Sequence, residues 1–133
     1  MRPAVARERP EIGEEACLEV TVDEGMLVDV LGRRIHPVYA TAWMVKHMED
    51  AGRLVVEPHL RPGEDATGYA ISVTHESPAA VGDRLEVVAR VTRVDDRECE
   101  AAVEVRGPAG RVGVGTLVQR YIEVGRLDGR RPS

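Results

Sequence analysis

Residues 38–56 read VYATAWMVKHMEDAGRLVV, and this stretch decides the fold. Small or apolar positions recur in it at spacings of three and four residues: Thr41, Val45, Met48, Gly52 and Val55. That period is typical of an amphipathic α-helix with one apolar face. We therefore expect a single helix about 28 Å long, enough to cross a small domain. Pro37, just ahead of it, is expected close to the first helical turn.

Alternation of apolar and polar residues predicts five strands around this helix. The first covers residues 17–22, and the later ones cover residues 67–77, 83–94, 97–105 and 110–124. We expect the last four to form a meander, and residues 23–36 to be a short connection. A helix with one apolar face is satisfied by packing on one antiparallel sheet. The predicted fold class is therefore α+β.

The length of 133 residues indicates one domain, which we place at residues 16–124. The charged, proline- and glycine-containing ends, residues 1–15 and 125–133, are expected to be flexible tails. A formal charge of -5, no Phe and a single Trp argue against nucleic acid as a partner. Because no apolar run suits a signal peptide or a membrane span, a cytoplasmic protein without a membrane partner is expected.

Three polar residues stand at or beside positions that the periodicity assigns to the core. His75 shares the strand parity of Ile71 and Val73, so it points inward, as a satisfied core residue or as a catalyst. Glu49 lies on or next to the apolar stripe, either in water at its edge or beside a donor such as His75. Thr41 lies in the first helical turn, where it either caps free N–H groups or stands beside a developing oxyanion.

Two further features concern binding. In the last strand Arg120 takes the parity of Val118 and Ile122, so it is expected to point inward and to pair with an acid or a phosphate. The four histidines lack the spacing of metal-ligating motifs, so no metal site is predicted.

Residues 38–49 (VYATAWMVKHME), residues 62–64 (PGE) and residues 68–75 (GYAISVTH) together resemble the fluoroacetyl-CoA thioesterase family of hot-dog proteins. The likeness runs from about residue 17 to residue 124. It implies a hot-dog fold, in which an antiparallel sheet wraps one long central helix, and a homodimer made by edge pairing of two sheets. It also implies that Thr41, Glu49 and His75 are catalytic, and that the Gly68 backbone and Arg120 contact the thioester or its coenzyme.

The segment before the helix departs from that family. Where the family's lid contributes phenylalanines, this chain has Gly32 and Ile35 in a shorter segment, and Ile35 is expected to contact the substrate. The predicted function is hydrolysis of a short or modest acyl-CoA, with no cofactor other than the coenzyme A of the substrate. Acyl transfer to Thr41 and direct attack by water both stay open. The alternatives are a non-catalytic hot-dog module that binds acyl-CoA or dimerises, and a hot-dog hydratase.

Overall fold

The computed structural model describes residues 8–125. These residues form seven strands and one α-helix: β1 (Glu15–Thr21), β2 (Leu27–Val30), β3 (Arg33–Tyr39), α1 (Thr41–Val56), β4 (Glu64–His75), β5 (Arg84–Val94), β6 (Glu98–Gly107) and β7 (Gly110–Glu123). Short 3-10 turns cover Glu24–Met26 and Glu57–His59. No helix of residues 8–125 is long and apolar enough to cross a membrane.

Five strands form one antiparallel sheet in the order β1-β5-β6-β7-β4. The predicted meander is right for β5, β6 and β7 but wrong for β4, which pairs along the far side of β7. The connection at residues 76–83 therefore carries the chain from one edge of the sheet to the strand beside β1. Alternation within a strand reveals its faces but not its neighbour, so the sequence pattern could not supply this crossover.

The helix α1 lies against the concave face of the sheet, and the core fills the space between them. The alternating faces predicted for β5 and β6 are confirmed, because these residues are all buried: Leu85, Val87, Ala89, Val91, Cys99, Ala101, Val103 and Val105. Gly52 lets the helix approach closely, since a side chain there would collide with Leu117. Its carbonyl also accepts a hydrogen bond of 3.0 Å from the Gln119 amide. The fold is the expected hot-dog arrangement of a sheet around one helix.

The expected connection at residues 23–36 is mostly a β-hairpin made of β2 and β3. Its turn is Leu31-Gly32, both with positive φ angles of 54° and 78°. A leucine rarely takes this conformation, so the sequence carried no turn signal there. Pro37 lies in β3 rather than in the first helical turn, and the helix begins at Thr41 instead of Val38.

The predicted N-terminal tail is shorter than residues 1–15, because residues 8–14 pack on the domain. The Arg9 guanidinium donates to the Glu64 carboxylate over 2.6 Å and lies 3.6 Å above the Tyr121 ring. His59 lies 2.7 Å from the Glu14 carboxylate, and Pro10 is buried. Residues 1–7 and 126–133, which complete the two predicted tails, lie outside the described residues.

Candidate active site

Thr41 and His75 meet at the N-terminal end of the helix. Thr41 is the first residue of α1 and His75 is the last residue of β4. The Thr41 Oγ1 and His75 Nδ1 atoms lie 2.8 Å apart, within hydrogen-bonding distance. The helix cap is Ala40, which offers no side-chain cap, so the Thr41 hydroxyl contacts an imidazole instead of capping the helix. Of the two interpretations of Thr41, capping is not observed, and the hydroxyl lies beside a potential base at the N-terminal end of the helix.

The backbone around Thr41 is electrostatically positive. The first N–H groups of an α-helix have no partner within the helix, and their dipoles add up to a partial positive charge. The first turn of α1 contains no acidic side chain that would neutralise that charge. A negative oxygen that forms beside Thr41 would therefore be stabilised there.

His75 is half-buried, and its surroundings favour the neutral imidazole. Burial lowers the pKa of His75, and a weaker backbone interaction with Ser77 opposes that effect. Its Nε2 atom is buried and makes no hydrogen bond within residues 8–125. With Nδ1 facing the hydroxyl of Thr41, neutral His75 can accept a proton from that hydroxyl or from a water molecule in its place.

The prediction that alternate side chains of β4 face inward with His75 is correct near the end of the strand and wrong at Tyr69. Val73 and His75 are both half-buried, and His75 pairs with Gly113, whose α-carbon faces Met44 of the helix. A bulge between Gly68 and Ala70 shifts the register, so Tyr69 does not share this face. The Tyr69 ring, which is 59% exposed, instead lies beneath the Arg120 guanidinium.

Glu49 does not contact His75 within one protomer. Its side chain is exposed and makes no hydrogen bond in the described part of the chain. Its carboxylate lies against Gly68, where an added methyl group would meet Oε2 at 2.8 Å. Glu49 is about 12 Å along the helix from Thr41, and Gly68 is roughly 23 Å along the strand from His75. Of the two interpretations, the acid at the solvent edge of the apolar stripe is the one observed.

A groove runs between α1 and β4 beside Glu49. Its first part, of about 150 Å³, is lined by Glu49, Gly68, Tyr69, Ala70, Ile71 and Leu117. A second part of about 320 Å³ shares Glu49, Gly68 and Leu117 and continues to Arg53. Gly68 therefore lies in the wall of this groove, whereas Ile35, 40% exposed on β3, does not line it. Residues 8–125 contain no cluster of His, Cys, Asp or Glu that could hold a metal ion.

The inward direction predicted for Arg120 is wrong. In the second half of β7 the buried residues are Leu117 and Gln119, so Arg120 lies on the opposite face of the sheet. There its Nε donates to the Glu98 carboxylate over 3.0 Å, and its guanidinium lies 3.5 Å from the centre of the Tyr69 ring. The pairing with an acid is confirmed. The buried face of β7 was misassigned because Gly113 and Gly115 have no side chain that would mark which alternate positions face the helix.

The sequence pattern missed two buried polar residues next to His75. The Tyr39 hydroxyl lies 2.5 Å from Nδ1 of His47, and the Tyr39 ring meets the His75 ring edge-on. A signal existed, because His47 stands three residues after Met44 and four before Ala51, on the buried stripe of the helix.

Comparison with known proteins shows which family shares this geometry. Residues 22–124 match the model of the FlK family, described as fluoroacetyl-CoA-specific thioesterase. A fluoroacetyl-CoA thioesterase from Streptantibioticus cattleyicolor is 31% identical over 93 residues, which are 70% of this chain and 67% of that protein.

Solved structures of thioesterases have the same fold as this chain. A thioesterase superfamily member from Thermus thermophilus has 36% identity and a TM-score of 0.86, over 98% of this chain and 92% of that one. The structure of the fluoroacetyl-CoA thioesterase FlK has 26% identity and a TM-score of 0.85, over 90% of this chain and 93% of that one. A variant of that enzyme in complex with fluoroacetate and CoA has 28% identity and a TM-score of 0.82, over 88% and 98%.

The family match covers the helix, every strand from β2 to β7, and both members of the hydrogen-bonded pair Thr41 and His75. The hot-dog fold and the enzyme class predicted from the sequence, a thioester hydrolase, are thereby confirmed. The chain belongs to the FlK family of fluoroacetyl-CoA-specific thioesterases.

Proposed function

We propose that this protein hydrolyses short acyl-CoA thioesters, with Thr41 and His75 as the reacting pair. The observation that carries the proposal is the 2.8 Å contact between Thr41 Oγ1 and His75 Nδ1 at the positive end of the helix. A hydroxyl, an adjacent neutral base and a site for an oxyanion are the groups that acyl transfer requires. Solved relatives bound to fluoroacetate and CoA support a coenzyme A thioester as the substrate class.

The geometry supports the following chemistry. Nδ1 of His75 takes a proton from the attacking oxygen, which then forms a bond to the thioester carbon. The carbonyl oxygen becomes negative and is stabilised by the free N–H groups of the helix. Collapse of this intermediate breaks the carbon–sulfur bond, and the coenzyme A thiolate receives the proton held by His75. If Thr41 is the nucleophile, water hydrolyses the acyl-threonine in a second round. If water attacks first, one round is enough.

We further propose that the active enzyme is a homodimer joined through β4. This strand is 12 residues long and lies at the edge of the sheet, where its outer side pairs with no strand of residues 8–125. It also exposes Tyr69 and Ile71. A long edge strand with exposed apolar side chains is a template for pairing with another chain.

Antiparallel pairing of two β4 strands would also give Glu49 a role. Gly68 lies three residues before Ile71, and His75 lies three residues after Ser72. A twofold axis between Ile71 and Ser72 would therefore set Gly68 of one copy opposite His75 of the other. Glu49, whose carboxylate lies against Gly68, would arrive beside the imidazole of the second copy. We propose that Glu49 orients His75 across this interface.

The hairpin β2–β3 presents no Phe side chain that would select a fluorinated acyl group over an ordinary short one. The chain has no Phe, and the exposed apolar side chains of the hairpin are Val30, Leu31 and Ile35. Contacts of this kind discriminate between similar substrates by only about 1–3 kcal/mol. We therefore propose a substrate range that is set by acyl size rather than by fluorine.

Release of free thiol from a panel of short acyl-CoA esters tests the proposed function. We expect turnover by the wild type and a loss of about 10²-fold or more in kcat for His75→Ala. The matched control is His59→Gln, because His59 contacts Glu14 far from Thr41 and its replacement should leave kcat unchanged. Binding of acyl-CoA without thiol release would favour the non-catalytic module. Full activity of folded His75→Ala would refute the role of this pair.

A further inference from the structure

A cluster of aromatic rings contacts His75 and takes no part in the proposed reaction. It consists of Tyr39 at the end of β3 and of Trp43 and His47 in the first two turns of α1. Tyr39 is completely buried and His47 is 6% exposed. Burying a phenol hydroxyl and an imidazole is costly unless they are hydrogen-bonded to each other or to a third group. This aromatic cluster therefore requires an explanation.

The rings of the cluster are in direct contact. The Tyr39 hydroxyl and Nδ1 of His47 are 2.5 Å apart, and the two ring planes are within 6° of each other with centroids 5.8 Å apart. The Trp43 ring packs on the other partner, with its centroid 5.6 Å from that of His47. His47 therefore contacts both aromatic residues, and these contacts restrict its rotation.

Both polar groups of the cluster stay uncharged at neutral pH. Burial raises the pKa of Tyr39, and it lowers the pKa of His47, with smaller opposing effects from Asp50 and Asp23 and a further lowering by Lys46. Among residues 8–125 the Tyr39 hydroxyl has no other hydrogen-bond partner. It therefore donates to Nδ1 of His47, which leaves the imidazole proton on Nε2.

The same Tyr39 ring supports His75. The two ring centroids are 6.1 Å apart and the planes cross at 75°, an edge-to-face contact that aromatic rings favour. Besides this ring, His75 has a weaker backbone interaction with Ser77 and a bond to Thr41 that changes when the proton moves, and its Nε2 makes no hydrogen bond within residues 8–125. The orientation of the imidazole within a protomer thus depends on packing against Tyr39.

We propose that Tyr39 and His47 are a positioning pair for His75. His47 fixes the hydroxyl of Tyr39, the hydroxyl fixes the plane of the Tyr39 ring, and that plane fixes the imidazole of His75 relative to Thr41. The inference rests on the proposed function, since it concerns the base of the proposed reaction. Neither residue touches the reacting atoms. A small misplacement of a reacting group can lower a rate by up to about 10²-fold, so the pair should matter for kcat more than for KM.

The variants His47→Leu, His47→Gln and Tyr39→Phe test this inference. His47→Leu leaves the Tyr39 hydroxyl without an acceptor, whereas His47→Gln supplies an amide oxygen in a similar place. Tyr39→Phe keeps the ring but removes its hydrogen bond. The control is Val55→Ala, which opens a cavity on the same buried face of α1 about 21 Å from Thr41. It should lower the melting temperature without changing kcat per folded molecule.

We expect His47→Leu and Tyr39→Phe to lower kcat by about tenfold, with KM within about twofold of the wild type. His47→Gln should restore most of the lost kcat. If His47→Leu does not fold, Tyr39→Phe gives the same comparison. A value of kcat within about twofold of the wild type in folded His47→Leu or Tyr39→Phe would overturn the inference. So would a loss confined to KM.

A readout that does not need activity separates this inference from the proposed function. The imidazole proton signals of His75 in NMR spectra should be single and narrow in the wild type, and shifted or broadened in Tyr39→Phe. Trp43, the one tryptophan of the chain, lies on His47, so its emission reports separately whether His47 is intact and neutral. Absence of thiol release by the wild type would refute the proposed function alone. Unchanged His75 signals in Tyr39→Phe would refute the positioning role alone.

Discussion

Two impaired variants should restore activity in a mixed dimer if the site is shared between two copies of the chain. His75→Ala removes the base, and Glu49→Ala removes the carboxylate that lies against Gly68. In a homodimer paired through β4, His75 of one copy would work with Glu49 of the other. A mixed dimer would then contain one site with both residues replaced and one site with both intact.

The expected magnitude follows from counting sites. One of the two sites in each mixed dimer is complete, so its turnover per dimer should be about half that of the wild type. Each variant alone should be lower by about 10²-fold for the lost base, and by a smaller factor for the lost carboxylate. The recovered activity is therefore far above that of His75→Ala and above that of Glu49→Ala. If each site were built within one protomer, the mixed dimer would have no complete site.

The assay uses two affinity tags, one on each variant, so that only mixed dimers survive two purification steps. Thiol release is then compared with that of doubly tagged wild type. The matched control combines His75→Ala with Thr41→Ala. These residues are hydrogen-bonded within one protomer, so no complete site can form and no activity should return. Activity of the Glu49→Ala mixture no higher than half that of Glu49→Ala alone would refute the shared site, as would a purely monomeric protein in sedimentation.

Three further outcomes are expected. Gly68→Ala should lower kcat with little change in melting temperature, because the new methyl group displaces only the flexible end of Glu49. An unchanged kcat would contradict the role of that carboxylate. Arg9→Ala should destabilise the fold by about 1–3 kcal/mol. Arg9 lowers the pKa of Glu64, so the stabilisation by this ion pair is fully present above the ordinary carboxyl pKa. It is lost as the pH falls through the lowered pKa of Glu64. Urea unfolding at several pH values measures this dependence. The ratio of kcat/KM for fluoroacetyl-CoA to kcat/KM for acetyl-CoA should match the ratio of their rates of hydroxide-catalysed hydrolysis. An enzymatic ratio larger by orders of magnitude would identify the fluorinated ester as the substrate.

Periodicity predicted those elements whose side chains alternate between protein and solvent. The helix and the inward faces of β5 and β6 were predicted in this way and are confirmed. The hairpin β2–β3 was missed because its turn uses Leu31 at a positive φ. The face of β7 was misassigned because Gly113 and Gly115 contribute no side chain to the pattern. Both errors occur where the backbone, and not a side chain, determines the structure.

The site shows a similar limit. The sequence marked Thr41 and His75 as unusual for their positions, but their contact joins residues 34 apart, and no local period encodes it. It also allowed Glu49 two environments, and the protomer shows the exposed one. Tyr39 and His47 were missed because the place of His47 on the buried stripe of the helix does not reveal its partner, which lies eight residues earlier in a strand. Long-range contacts of polar side chains are what the structure adds.

A shared site has a consequence for the titration of His75. Within the protomer, burial lowers the pKa of His75, so the imidazole stays neutral to lower pH than usual. A carboxylate that arrives from a second copy would oppose burial, since a nearby negative charge favours the imidazolium. The acid limb of kcat/KM should therefore move to lower pH in Glu49→Gln, which keeps the shape of the side chain but not its charge. NMR titration of His75 at protein concentrations above and below the dissociation constant of the dimer provides the second measurement, with a higher pKa expected in the dimer. Equal pKa values for the wild-type dimer and the Glu49→Gln dimer would show that the carboxylate does not reach His75 from either copy.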